Sequence, residues 1–246
     1  MFKPSVPVID GHAVLGRRHD RRVAFDTPGD LIAVMDRNGI ERALVYHRYA
    51  VEYDTQAGNA ELESLVSGYP RLIAQRIVNM ASDDRARFYQ SGSRSLRVFP
   101  KSHLYPFVPW VVGPWMDWIR ETGKSLWVSV DEVDPRDLYE TAHTFPTVPF
   151  VLSAVHYGHF AFVWPLIAAL PNLYIELSRL DIMVGVRMFV KRIGPGRLLF
   201  GSFYPELDPG PYLFYLHRTG LDDDALRAIC RDTVLTLVED DGAHAI

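Results

Sequence analysis

The chain is 246 residues long, with 26 Lys and Arg against 30 Asp and Glu, a formal net charge of -4 and an apolar fraction of 48%. That length holds one barrel-sized domain or two small ones, and a charge balance without a basic block argues against nucleic acid or an anionic membrane as partner. The single cysteine, Cys230, excludes an internal disulfide framework and a cysteine-based zinc cluster, and the lack of a signal-like start or of a run of about 18 apolar residues leads us to expect a cytoplasmic, soluble protein.

Taken in order, the elements alternate between strand and helix patterns. Apolar residues 6–9 read as a strand running into Asp10, Gly11 and His12, which places a carboxylate and an imidazole at its C-terminal end, where α/β barrels keep their chemistry. The basic stretch 17–22 reads as a solvated loop or a lip over the barrel mouth. Thr27 as N-cap, Pro28, Asp30 and the apolar face of Leu31, Ile32, Val34 and Met35 define a first helix, stopped by Gly39. A second strand, 43–46, ends at His47; a loop through Gly58 then leads to a helix carrying Leu62, Leu65 and Val66 and closing at Gly68. The third strand is 72–78, and a short helix over 83–90 precedes a fourth strand, 96–99, that runs into Pro100, Lys101, Ser102 and His103.

Residues 105–115, YPFVPWVVGPW, form a long apolar stretch that reads as a lid, a pocket wall or a surface packed on the rim or on a second copy, and a homodimer is expected on that ground. Trp115, Trp118 and Ile119 belong to the next helix, ended by Gly123. The fifth strand, 125–130, meets Asp131 and Glu132, and Asp134 with Pro135 opens another helix. The sixth strand, 149–155, ends at His156, Tyr157 and Gly158; a helix over 162–170, a seventh strand over 173–177 and a helix over 184–193 follow. An eighth strand, RLLF, enters a Gly-Ser turn, and the last helix starts near Asp222 or Asp223 with Cys230 in its apolar stripe. Eight strands separated by helices argue for a single domain over residues 1–246, a (β/α)8 TIM barrel of the α/β class. No glycine-rich nucleotide loop follows any strand.

IDGHAVLG at the first strand, TPGDLIAVMDRNGIERALV in the first helix and second strand, the His156-Tyr157-Gly158 turn, PNLYIELS and GPGRLLFGSFYP together resemble the amidohydrolase superfamily. The likeness is to the amidohydrolase-2 branch, with its aminocarboxymuconate-semialdehyde decarboxylase-like and dicarboxylate lactonase-like enzymes. It implies a metal-dependent-hydrolase-like barrel whose mouth holds one divalent metal. The implied ligands are two histidines one residue apart after strand one, a histidine after strand five or six, and an aspartate after strand eight that also takes the proton from the attacking water. His12 matches the first histidine, but Val14 and Phe203 stand at two ligand positions, and neither has a lone pair to give. A catalytic zinc takes three protein ligands, so the site reads as degenerate, with no metal and no cofactor. The alternative is a zinc or manganese site rebuilt from His156, His103, His47, Asp10, Asp131 or Glu132.

The expected catalytic residues are His12, His156, Asp10 and His103, since imidazole titrates near pH 6.5 and suits proton transfer at neutral pH. Lys101, Phe203, Glu176 and His47 are the expected substrate-binding residues, with Arg97 a further candidate for holding a carboxylate or oxyanion. Bland readings stand beside these. Asp10 can simply cap the strand-one turn, and Glu176 can be paired inside the barrel. If the first strand stays extended, His12 shares the parity of Asp10 and points into the mouth. The expected substrate is a small carboxylated or cyclic molecule, hydrolysed at a lactone, ester or amide, or cleaved by a lyase or decarboxylase step. A zinc or manganese hydrolase with rearranged ligands and an inactive ligand-binding barrel are the alternatives.

Overall fold

A computed structural model of the chain describes residues 2–20, 26–88, 93–180, 182 and 184–239. Its strands are all parallel: β1 (Ile9–Leu15), β2 (Arg42–His47), β3 (Leu72–Ala74), β4 (Arg76–Val78), β5 (Ser95–Val98), β6 (Ser125–Ser129), β7 (Phe150–Ser153), β8 (Leu173–Glu176) and β9 (Leu198–Leu199). The expected third strand is thus two, β3 and β4, broken at Gln75, whose amide still reaches the Val45 carbonyl at 2.7 Å. Two ladders result, β1-β2-β3 and β4 through β9. The seam between β9 and β1 is spanned by three backbone hydrogen bonds: Gly11 N to Phe200 O at 3.0 Å, Phe203 N to His12 O at 2.9 Å and Val14 N to Tyr204 O at 2.9 Å. First and eighth strand positions are therefore neighbours, as a barrel requires.

The helices are α1 (Pro28–Asn38), α2 (Arg48–Glu52), α3 (Thr55–Val66), α4 (Pro109–Glu121), α5 (Pro135–Thr144), α6 (Phe160–Ala169), α7 (Gly185–Ile193), α8 (Pro209–His217), α9 (Asp223–Arg227) and α10 (Thr233–Val238). Thr27 and Asp30 form the capping box of α1, and Gly39 closes it with φ 70°. Three expectations are corrected, and one helix is new. Residues 48–58 are not a loop, because His47 and Asp54 cap α2 and α3, with Gly58 inside α3 where its backbone lies against Ala50. Only a 3-10 turn, Arg85–Phe88, stands in place of the helix expected over 83–90, of which 89–90 lie outside the described residues. Half of the aromatic stretch is helix α4, started by Pro109. Asp208 caps α8, a helix not among the expected elements.

Inside the barrel the side chains form layers. Ile9, Leu44, Trp127, Val151 and Leu199 make the lower one, plugged by Val234, Leu235, Leu237 and Val238 of α10. Val14, Tyr46, Ile77 and Phe99 make the upper one. Gln75 and Arg97, two residues before Ile77 and Phe99, Ser153, two after Val151, and Glu176 are all buried, so a polar layer lies between two apolar ones. Cys230 is buried in the outer core and its thiol is pushed up to about 12 by burial. Among the described residues no helix is long and apolar enough to cross a membrane.

Candidate active site

The first strand does not stay extended past Asp10. Asp10 pairs with Ala43 and Ala13 with Val45, so Gly11 and His12 together oppose the single residue Leu44. This is a β-bulge, and it changes the parity on which the sequence reading of His12 relied. A Cβ on Gly11 would lie 2.9 Å from Leu199 Cδ1 and 3.0 Å from the Phe200 carbonyl, so glycine is what lets the bulge pack at the seam. His12 then joins the polar layer, whereas Asp10 turns to the seam, where Oδ1 accepts the amides of His12 at 2.9 Å and Ser202 at 2.8 Å. Its Oδ2 is buried without a partner, and burial raises the carboxyl to about 6 against the pull of those donors.

His12 is 1% exposed. Its Nδ1 lies 2.8 Å from Glu176 Oε2 and its Nε2 lies 3.3 Å from the Tyr46 hydroxyl. Glu176 also accepts the Ala154 amide at 3.0 Å, the Ser178 hydroxyl at 3.0 Å and the Ser178 amide. Burial opposes charge on Glu176, but His12 and these donors outweigh it and hold the carboxyl below its usual range. Burial, and then the Arg97 guanidinium, push His12 down. The pair is therefore a neutral imidazole donating Nδ1–H to a carboxylate, which leaves the Nε2 lone pair to accept the Tyr46 hydroxyl. Burial raises the Tyr46 phenol, so that hydroxyl keeps its proton.

Arg97 completes the layer. Its Nε donates to Gln75 Oε1 at 2.7 Å and its NH1 to Ser153 Oγ at 3.1 Å, and its guanidinium sits 4.6 Å from the Tyr46 ring and 5.4 Å from the Trp127 ring. Gly201 gives the room: a Cβ there would strike the Glu176 carboxylate and lie 2.8 Å from His12 Cβ. Phe203, at φ 57°, stands edge-on to the His12 ring at 4.9 Å. Such a conformation is unusual for an aromatic residue.

Above this layer the mouth is divided. Arg179 lies 5.6 Å over the Phe203 ring. On one side a cavity of about 400 Å³ is lined by Val14, Tyr46, Phe203, Arg18, Arg48 and Glu206, with Arg179 and Leu207 at its edge. On the other a cavity of about 720 Å³ is lined by His156, Ser178, Ser202, Tyr157, Tyr212 and Tyr215, again with Arg179 and Leu207.

The structure thus brings together His12, Asp10, Glu176 and Phe203, and places the other expected residues elsewhere. His156 is on the wall of the larger cavity, its Nδ1 accepting the Gly158 amide at 3.0 Å and its ring 3.9 Å from His159. His103 contacts the Val51 carbonyl at 3.2 Å and packs beside Phe99. His47 is buried, caps α2 and is pushed down by burial. Lys101 is exposed, beside a separate cavity with Glu132 and Asp137. Tyr46, Gln75, Ser153 and Arg179 are the neighbours that sequence reasoning missed, and no local pattern links them, because they come from different strands.

A divalent metal does not fit the donor set. Val14 is part of the upper apolar layer, Phe203 presses on His12, and both ring nitrogens of His12 are engaged. Glu132 accepts from Ser102, and Asp131 pairs with His159 and Arg179. Among the described residues no three His, Cys, Asp or Glu side chains converge as a metal site.

A parallel barrel with a buried polar layer inside it defines the fold class. The profile of the amidohydrolase family matches residues 9–237, and the chain belongs to that family. The fold is shared with an uncharacterized TIM-barrel protein from Bordetella bronchiseptica at 15% identity, covering 94% of this chain and 98% of that one with a TM-score of 0.74. It is shared with 2,6-dihydroxybenzoate decarboxylase from Rhizobium at 12% identity, covering 94% and 98%, TM-score 0.74. A third likeness is to 5-carboxyvanillate decarboxylase from Novosphingobium aromaticivorans, complexed with manganese and 4-hydroxy-3-methoxy-5-nitrobenzoic acid, at 11% identity over 95% and 96%, TM-score 0.73. Curated protein sequences give no match.

Proposed function

We propose that this chain is an amidohydrolase-family enzyme that acts on a small carboxylated or cyclic organic substrate by histidine-centred proton transfer without a metal. The observation that carries this reading is the hydrogen-bond chain Glu176, His12, Tyr46, whose last member is the floor of the arginine-lined cavity. Arg18, Arg48 and Arg179 line that cavity with Glu206, which bonds Arg18 at 2.6 Å and Arg48 at 3.2 Å, while Asp20, Glu52 and Asp131 pair with Arg18, Arg48 and Arg179 in turn. Arg48 Nε is buried and without a partner there. Planar guanidinium groups suit a carboxylate or a developing oxyanion.

The proton path balances. A water or substrate proton passes to the Tyr46 oxygen as the phenol proton passes to His12 Nε2, and the imidazolium so formed faces the Glu176 carboxylate. Run forward, this activates water for hydrolysis of a lactone, ester or amide; in a decarboxylation the relay first takes a proton from a bound water, then returns one to the carbon as the C–C bond breaks, and the hydroxide leaves with the CO2 as bicarbonate. Aromatic acids are the first substrates to try, because structural neighbours are decarboxylases of hydroxybenzoate-type acids. A metal-dependent reaction is the competing reading, favoured by the manganese in one neighbour. An inactive ligand-binding barrel is the other, favoured by the burial of His12.

The test is turnover of aromatic and cyclic carboxylic acids and lactones by wild type, Tyr46→Phe and His12→Ala, with metal content measured on protein purified without chelator. We expect kcat to fall about 10²- to 10⁴-fold in each variant, with metal well below one equivalent. Unchanged kcat in both variants overturns the relay, a full equivalent of metal lost in His12→Ala supports the metal reading, and acid binding without turnover supports the inactive barrel.

A further inference from the structure

The larger cavity has no place in the proton relay, and its chemistry differs from that of its neighbour. Four of its hydroxyls are bonded to the protein: those of Tyr212 and Tyr215 donate to the Leu180 and Ile182 carbonyls at 3.2 and 2.6 Å, that of Ser178 to Glu176 at 3.0 Å and that of Ser202 to the His12 carbonyl at 3.1 Å. What these side chains turn to the cavity is ring face and methylene, joined by Tyr157, Leu207 and Pro211. Tyr157 is 68% exposed and Leu207 45%, so an apolar guest entering here covers surface that water now wets. Asp208, also on the wall, accepts the Gly210 amide at 2.8 Å as the cap of α8 and pairs with Arg37 at 2.7 Å.

The ridge between the cavities is Arg179 on Phe203, and Arg179 and Leu207 face both sides. A molecule whose carboxylate is held by the arginines has only this ridge to cross to reach the apolar walls. We infer that the substrate is a two-part acid. Its carboxylate lies among Arg18, Arg48 and Arg179, and an apolar tail of aromatic-ring bulk crosses the Arg179–Phe203 ridge to lie among Tyr157, Pro211, Tyr212 and Tyr215. This rests on the proposed function, since it assigns the head to the arginine-lined cavity. It goes further in making an apolar tail part of the preferred substrate.

Calorimetric titration with butanoate, phenylbutanoate and phenylbutanol tests it. Wild type is expected to bind phenylbutanoate about 10- to 100-fold tighter than butanoate, the return for burying a phenyl group, and phenylbutanol more weakly than phenylbutanoate. Tyr157→Glu and Pro211→Glu, both at exposed positions of the larger cavity, are each expected to remove most of that advantage while leaving butanoate affinity unchanged. Equal binding of the two acids by wild type, or a full phenyl advantage in both variants, overturns the tail assignment. In that case butanoate binding that is lost in Arg48→Ala leaves the proposed function standing. No acid binding by wild type, or butanoate binding indifferent to Arg48→Ala, contradicts the arginine head site, and both readings fall together.

Discussion

Residue by residue, the centre is a set of buried groups whose protonation is fixed by their neighbours. Asp10 is the clearest case for measurement. Its native carboxyl, raised to about 6, binds a proton more tightly than the unfolded chain does at about 4. The stability it contributes is therefore present below pH 4 and lost as the pH rises through 6. His12 has the opposite sign: held neutral by burial, it loses stability as the pH falls through the unfolded histidine value near 6.5. Comparison with Asp10→Asn isolates the first effect, because the His12 contribution is common to both proteins. Between about pH 5 and pH 7.5 wild type should lose about 1 kcal/mol relative to Asp10→Asn, read from urea midpoints. An equal change in both proteins would contradict the assignment. Arg97→Met should cost about 3–5 kcal/mol, since it strands Gln75 and Ser153 and leaves Glu176 without its buried cation. Retained stability in a denaturant titration would show the guanidinium to be dispensable.

At the level of the element, two glycines shape the centre. A methyl group on Gly201 collides with Glu176 and His12, so Gly201→Ala should displace the pair. We expect kcat to fall at least tenfold with a loss of about 1–3 kcal/mol in stability; a variant that is destabilised but fully active would place the pair outside the reaction. The bulge at Gly11-His12 explains what could and could not be read from sequence. His12 is expected at a strand end facing the mouth, whereas it lies inside β1 in the buried polar layer, and the shared parity with Asp10 fails because one residue is added opposite Leu44. Nothing in the string IDGHAV marks such an insertion; it is set by the seam to Phe200 and Phe203. Tyr46 reads as one more apolar residue of its strand, and only the upper layer shows its hydroxyl meeting His12. Lys101 and His103 were placed at the mouth by strand order, yet the turn after β5 carries Lys101 outward.

Across the whole molecule, the barrel order was readable because each strand is short, apolar and capped by turn residues, and the amidohydrolase likeness followed from the first and last strand motifs. The polar layer was not, because it needs side chains from β1, the β3–β4 break, β5, β7 and β8 at one height, a property of strand stagger rather than of any local pattern. A barrel closed below by α10 and covered above by Phe203 keeps that layer dry, which strengthens each charge interaction within it. The most direct measurement is the nitrogen-15 to proton correlation of the His12 ring in wild type and Glu176→Gln as the pH is lowered. We expect a neutral imidazole with its proton on Nδ1, downfield in wild type, shifted in Glu176→Gln, and unprotonated at Nε2 well below the usual histidine titration near pH 6.5. An imidazolium at neutral pH, a proton on Nε2 or a metal-bound nitrogen would contradict it.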